Sequence, residues 1–381
     1  MRIGILKETK PQEYRVPLTP ESIKRLTGRG HEVFVQKTAG AGAGFPDGEY
    51  ESAGARILDS PQAVSEASDI LVKVKEPIES NFAVFRNGQT LFCFLHSETR
   101  PKLVDMLLGK RITAVAFENI TLADGGAPIL TPMSILAGQH GVLQGMMFLC
   151  NHKGGAGRSL VAYPGLAPAR VVVFGAGQAG YSAAQVAASL GAQVQLFEID
   201  RKRIQAIAPL LPKNIQVLHI DSVDLELYVL EADMVVNTAT IPPNSDRHLI
   251  DRGLLSRMKK GAVIVDVTAN LKGAIETVDR YTTHEDPVWE VDGVIHYAVT
   301  NIPSSVAHTA SHALSMEVLP FLMEMADKGP IDAIKKNQTL MRGLTAVNGI
   351  LTWHEAGTFL DRAWQAPEEA LSVFSTNAEM I

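Results

Sequence analysis

Residues 171–198 read Val-Val-Val-Phe174-Gly175-Ala-Gly177-Gln-Ala-Gly180-Tyr-Ser-Ala-Ala-Gln-Val-Ala-Ala-Ser-Leu-Gly191-Ala-Gln-Val-Gln-Leu-Phe-Glu198. The apolar run before Gly175 predicts a buried strand. Tyr181 to Leu190 predict a helix that Gly191 closes, and Gln193 to Phe197 a second strand. Each glycine answers a different physical demand, Gly175 the tight turn, Gly177 the close approach of a pyrophosphate, and Gly180 the helix–strand packing. Gln178 and Ala179 complete the turn, where unpaired amides at a helix start would face phosphates. Glu198 falls about 20 residues beyond the turn, where a carboxylate can accept from ribose hydroxyls and would repel a 2′-phosphate. The spacing therefore predicts a dinucleotide-binding βαβ unit with NAD as cofactor. Arg201, Lys202 and Arg203 follow as the expected solvated start of the next helix, and Arg203 joins the expected cofactor set.

Working outward, 381 residues suggest two domains at roughly 150 residues each. The chain has 46% hydrophobic and 20% charged residues and a net charge of −6, a soluble composition with no basic face for nucleic acid. Residues 125–152 and 171–197 lack Asp, Glu, Lys and Arg, yet their glutamines, histidines and glycines favour buried structure over membrane spans. Two cysteines and no apolar leader point to a reducing, cytoplasmic setting. Strands are expected at 2–6, 31–36, 69–75, 90–95, 215–219, 234–237, 262–267 and 293–298. Helices should start at Thr19-Pro20 and Thr131-Pro132 and run from about Ser305 through Met325. This alternation predicts an α/β chain with parallel sheets. Gly40-Ala-Gly42-Ala-Gly44 looks like a second phosphate loop, but Phe45-Pro-Asp-Gly48 predicts a turn rather than a helix after it.

Hydride transfer with an amino or hydroxy acid needs a cation for the carboxylate and a proton shuttle. His96 lies just beyond the strand Leu91–Leu95, and Lys75 ends the strand before Glu76-Pro77. Arg15 lies in the loop after the first strand. Such strand-end positions are where α/β sheets bind ligands, although a lone loop Arg or Lys is more often a solvated charge. No histidine or cysteine spacing marks a metal site, and no Gly-x-Ser-x-Gly elbow is present.

Together these motifs resemble the alanine dehydrogenases, which share ancestry with the transhydrogenase alpha subunit. The resemblance rests on Lys7-Glu8…Glu13-Tyr-Arg15, Gly40-Ala-Gly42…Gly44-Phe-Pro-Asp47, Val74-Lys75-Glu76-Pro77 and Leu95-His96. It continues in Pro132-Met133-Ser134…Ala137-Gly138, the Gly175–Gly180 turn, Val265-Asp266-Val267 and Asn301-Ile-Pro303. It implies two Rossmann-like doubly wound domains, the second inserted into the first: 1–134 plus 305–381 for substrate and catalysis, 135–304 for NAD. It further implies that Arg15 and Lys75 hold the substrate, Met133 lines its site, His96 is the acid/base, and Ser134 and Asn301 lie at the cofactor. The implied reaction is L-alanine, NAD and water giving pyruvate, ammonium and NADH, in a soluble homohexamer. One position departs from the pattern: the family's catalytic Asp is Asn270 here, which cannot offset a developing positive charge. The alternatives are a relative acting on another small oxo acid or amine, a transhydrogenase-type subunit, and a catalytically quiet NAD-binding paralogue.

Overall fold

The computed structural model describes residues 1–241, 247–268 and 270–376. The chain divides into two compact units, Met1–Met133 with Val306–Ile381, and Ser134–Ser305. The first unit opens with β1 (Arg2–Ile5), β2 (Glu32–Gln36), β3 (Arg56–Leu58), β4 (Ile70–Val72), β5 (Thr90–Cys93) and β6 (Thr113–Ala116). The second holds β7 (Arg170–Phe174), β8 (Gln193–Glu198), β9 (Ile215–His219), β10 (Met234–Asn237), β11 (Val263–Asp266), β12 (Val288–Val291) and β13 (Val294–Tyr297). The chain then returns to the first unit with β14 (Leu344–Val347) and β15 (Ile350–Leu351).

Both sheets share one winding. The second runs β12-β13-β11-β10-β7-β8-β9, and β7 through β11 and β13 pair in parallel. The first runs β15-β14-β6-β5-β4-β1-β2-β3, with β1 through β6 parallel and β14 and β15 antiparallel at one edge. In each, the chain builds outward from its first strand, then crosses back to build the other way. The order reverses between β1 and β4 and between β7 and β10, and the crevice at the carboxyl ends of such a strand pair is where this fold binds ligands.

Alternation explains why both faces of the second sheet are covered. Val171 and Val173 join one apolar cluster with Ala183, Ala184, Ala187 and Val265, while Val172 and Phe174 join another with Val235 and Ile264. A strand buried on both faces reads as a continuous apolar run, which is why β7 was legible. The short β3 and β6 were not: Arg56-Ile-Leu58 is only three residues long, and Thr113-Ala-Val-Ala116 is half alanine, a weak strand former.

The two charge-free stretches are built into strands and helices. Residues 171–197 are β7, the helix Gln178–Ser189 and most of β8; residues 125–152 contain the helix Leu130–Phe148. Among the described residues no helix is long and apolar enough to cross a membrane. The expected turn after the 40–44 glycines is corrected, because Asp47–Ser52 is a short helix. Extended Pro46 sets its entry, and Asp47 and Glu49 suit the positive helix start. Asp47 also accepts the Thr38 N–H at 2.8 Å, and a Cβ on Gly40 would lie 2.6 Å from the Tyr50 ring. That glycine run is therefore packed against its own unit.

Candidate active site

In the first unit, the loops after β1, β4 and β5 bring Arg15, Lys75 and His96 into one charged cluster. Arg15 is 3% exposed, which corrects the expectation of a solvated loop charge. Its Nε and Nη2 donate to Glu13 Oε1 and Oε2 at 2.7 and 2.6 Å, and Nη1 lies 3.2 Å from Met133 Sδ. Burial works against the guanidinium, but Glu13 outweighs it and raises the Arg15 pKa. Burial likewise works against the Glu13 carboxylate, yet Arg15 and Lys75 hold its pKa below the ordinary value. A guanidinium has five N–H donors, so two remain for a ligand carboxylate.

Lys75 is half-buried, and its Nζ makes no hydrogen bond to another described residue. Burial, then the charge of Arg15, pull its pKa down to about 8 against the opposing pull of Glu76 and Glu13. Glu76, 2% exposed, accepts from Lys10 Nζ and from Arg100 Nε at 3.0 Å. Burial would raise its pKa, but Lys10, Lys75 and Arg100 hold it near 2, so this carboxylate stays charged.

His96 sits in a left-handed conformation with φ of 46°. Such a conformation is uncommon outside glycine and marks a position its surroundings enforce. The enforcing group is Glu118, whose Oε1 accepts the His96 N–H at 2.6 Å and the Leu95 N–H at 3.1 Å. The ring stacks parallel to Phe94 at 6.0 Å, and its Nδ1 lies 4.0 Å from Glu118 Oε1. Packing on one face, then the Lys75 charge, lower its pKa to about 4, so the imidazole is a neutral base across the physiological range. Burial raises Glu118 to about 7 despite the backbone N–H groups it accepts. Glu13, Glu76 and Glu118, which hold this cluster in place, were not among the expected site residues. The first two stand beside Arg15 and Lys75 and were legible as neighbours; Glu118 arrives from β6 with no local signal.

The second unit carries the glycine turn at the β7 end. Gly175 has φ of +84°, and a Cβ on Gly180 would lie 1.8 Å from the Gly175 carbonyl oxygen. Gly138 has the same constraint, with a Cβ falling 2.0 Å from Ala179 O. A Cβ on Gly177, by contrast, would meet no atom within 4 Å. The packing glycines and the open glycine thus separate cleanly, and the open one lies where the helix Gln178–Ser189 presents its unpaired amides. This open cradle suits a pyrophosphate. Glu198 Oε2 accepts the Ala176 N–H at 2.8 Å, while Oε1 accepts Ile199 N–H and Asp200 N–H at 2.7 and 3.0 Å. A carboxylate offers about four acceptor positions, which leaves room for a ribose hydroxyl.

Arg203 corrects another expectation: it is half-buried rather than solvated, and its Nε donates to Ala176 O at 2.5 Å, bracing the turn. Thr238, after β10, donates from Oγ1 to Phe174 O at 2.7 Å and to Gly175 O at 3.0 Å, a role its sequence did not signal. Ser134 is half-buried in the helix Leu130–Phe148. Asn301 O accepts the Ser304 N–H at 2.8 Å and pairs with His284 Nε2 at 3.2 Å. Asn270 donates from Nδ2 to Ile241 O at 2.8 Å. Asp266 is 1% exposed, and its Oδ1 accepts from Thr268 and from Asn237 at the end of β10. One histidine spacing was overlooked: His308 and His312 stand four apart on the helix Ala307–Lys328. His308 Nδ1 pairs with Ala43 O at 2.8 Å and both rings pack on Phe45. Among the described residues no three His, Cys, Asp or Glu side chains cluster as a metal site.

Residues 4–137 match the model for the alanine dehydrogenase/PNT N-terminal domain, and residues 141–354 match that for the C-terminal domain. This chain belongs to the alanine dehydrogenase/PNT family. It is 38% identical over 372 residues to an alanine dehydrogenase of Methanococcus maripaludis, spanning 98% of this chain and all of that one. It is 37% identical over 371 residues to an alanine dehydrogenase of Staphylococcus epidermidis, across 97% of this chain and all of the relative. Among solved structures, an L-alanine dehydrogenase superposes with a TM-score of 0.89 at 36% identity, covering 95% of this chain and 99% of that one. A transhydrogenase from Sinorhizobium meliloti superposes at 0.76 with 25% identity, covering 92% and 98%. Both likenesses extend over the two units, so this family member carries the two-sheet α/β architecture of its relatives.

Proposed function

We propose that this protein is an NAD-dependent L-alanine dehydrogenase, an oxidoreductase acting on CH–NH2 donors. The observation that carries the reading is the Arg15–Lys75–His96 cluster at the order reversal of the first sheet, in a chain similar over its whole length to alanine dehydrogenases. A transhydrogenase relay would have no use for a carboxylate-binding cation pair beside a neutral imidazole.

The first unit would hold the amino or oxo acid. Arg15, fixed by Glu13, would take the carboxylate, with Met133 against its guanidinium. The Lys75 ammonium would donate to the oxo oxygen. In the deaminating direction NAD held by the second unit would supply the hydride acceptor for the α-carbon, leaving an iminium on the substrate. Water then adds to the resulting iminium carbon. His96 would accept one water proton and return it to the amine, then accept the hydroxyl proton as the C–N bond breaks and pass it to the released ammonia, giving pyruvate and ammonium. The second unit would hold NAD by the amides after Gly177, with Gly175, Gln178, Ala179 and Gly180 shaping the turn and Arg203 bracing it. Glu198 would accept from the ribose, which favours NAD over NADP, and Ser134 and Asn301 would face the nicotinamide end.

Asn270 favours a second reading, a dehydrogenase for a different small oxo acid or amine, because an amide offers hydrogen bonds without charge at the expected aspartate position. The test is NADH oxidation with pyruvate and ammonium beside a panel of small 2-oxo acids and amines, repeated with NADPH. Turnover with pyruvate and ammonium supports the reading; no turnover with any oxo acid, despite tight NADH binding, overturns it. The family resemblance also leads us to expect a homohexamer, which sedimentation equilibrium measures.

A further inference from the structure

The Lys7-Glu8 pair after β1 stands outside the machinery assigned so far. Glu8 is 9% exposed and Lys73, after β4, is 2% exposed. Glu8 Oε2 accepts from Lys73 Nζ at 2.9 Å, while Oε1 accepts the Val74 N–H at 2.7 Å and the Lys75 N–H at 3.3 Å. One side chain thus ties together the ends of the two strands that flank the order reversal in the first sheet. Stability alone does not explain a buried ion pair, since well-packed apolar residues of similar volume serve as well or better. What an apolar pair could not do is accept the two N–H groups of the peptide that carries Lys75.

We propose that Glu8 is a positioning residue: its carboxylate clamps the Val74–Lys75 backbone so that the Lys75 ammonium is held beside Arg15 for the oxo group of a 2-oxo acid. Lys73 neutralises the clamp. The inference rests on the reading of Lys75 as a substrate-binding group. The titratable groups facing Lys75 are Arg15, Glu13 and Lys10 from the loop after β1, Glu76 from its own loop, and the neutral His96 beyond β5. Glu8 and Lys73 carry equal and opposite charge, so removing both together changes the clamp while leaving the net charge around Lys75 as it was. A released Lys75 would gain water and titrate closer to the ordinary lysine value.

Three variants of the full-length protein separate the clamp from its charge. Glu8→Gln with Lys73→Met keeps an oxygen to accept the two N–H groups and leaves no unpaired buried charge. Glu8→Ala with Lys73→Met removes the oxygen. Glu8→Asp keeps the charge but withdraws the oxygen by one methylene. The readouts are KM for pyruvate, KM for NADH, and the pH midpoint for acylation of Lys75 by a limiting amine reagent, followed by peptide mass spectrometry. The Gln/Met pair should keep the pyruvate KM within about threefold of the parent. The Ala/Met pair and Glu8→Asp should raise it about tenfold or more with the NADH KM unchanged, and move the Lys75 midpoint upward by about one unit or more. An unmoved midpoint and pyruvate KM in a folded Ala/Met protein would overturn the clamp, as would a Gln/Met protein as impaired as Ala/Met. If Ala/Met does not fold, Glu8→Asp decides. A parent enzyme inert towards pyruvate and ammonium would sink the functional reading instead, and the acylation midpoint would still decide the role of Glu8.

Discussion

Alanine at Gly177 and alanine at Gly180 should fail in opposite ways, although both stand in one six-residue turn. At Gly180 the new Cβ would fall 1.8 Å from Gly175 O and 2.6 Å from Thr238 Oγ1. Contact with a backbone oxygen needs well over 3 Å, so the helix start must move by about 1.5 Å against β7. Overpacking of this kind costs about 1–3 kcal/mol, and a displaced backbone lies at the upper end. About 3 kcal/mol lowers the melting temperature of a unit of this size by about 6–12 °C. At Gly177 the methyl group enters space free of protein atoms, so stability should change by no more than about 0.5 kcal/mol. That methyl group would instead occupy the approach path of the pyrophosphate. Losing one charge-assisted N–H contact costs about 1.5–3 kcal/mol, which is a rise of about 10- to 150-fold in the NADH dissociation constant. Differential scanning fluorimetry reports the first effect and NADH fluorescence titration the second. A Gly177→Ala protein that binds NADH within threefold of the parent would refute the cradle. A Gly180→Ala protein that melts with the parent would refute the packing argument.

Substitutions in each unit have further expected outcomes. His96→Gln should lower kcat by about 10²- to 10⁴-fold while leaving NADH affinity intact, since a neutral base is lost and the residues of the nucleotide turn are unchanged; stopped-flow binding beside steady-state rates separates the two. Lys75 is held down to about 8, so its ammonium is present below that pH and lost above it. The pyruvate KM should therefore be flat to about pH 8 and rise about tenfold per unit beyond, and a flat profile to pH 9.5 would exclude Lys75 as the binding cation. Asn270→Asp should raise alanine turnover about 10- to 100-fold by placing a charge near the developing iminium. Unchanged rates would show that position 270 does not face the amine here. Glu198→Gln should narrow the preference for NADH over NADPH, read as the ratio of the two kcat/KM values.

The glycine turn was legible because its determinants are local. Strand, glycines, helix and acid follow one another within one continuous stretch, and each acts on its neighbours through backbone conformation and close packing. The placement of Arg15, Lys75 and His96 at strand ends was legible for the same reason, since an apolar run that stops marks where a parallel strand delivers the chain to a ligand crevice. Their partners were less so. Glu118 is separated from His96 by a helix and a strand, and nothing near residue 118 announces that its carboxylate will hold the His96 backbone in a left-handed turn. The glycines at 40–44 were legible as something other than a phosphate loop, but the short helix Asp47–Ser52 after them and the packing of Gly40 against Tyr50 were invisible in the chain.

By itself, then, the sequence determined the α/β class with parallel sheets, the dinucleotide turn and the candidate cations, all properties carried by short-range pattern. Only the tertiary structure decided which charges meet. It buried Arg15 on Glu13, set Lys75 beside Arg15, and turned Arg203 from the expected solvated charge into a brace for the glycine turn. The reason is electrostatic and geometric. A charge far along the chain comes within hydrogen-bonding reach only when the sheet order is known, and burial then fixes its strength by removing the water that would have screened it.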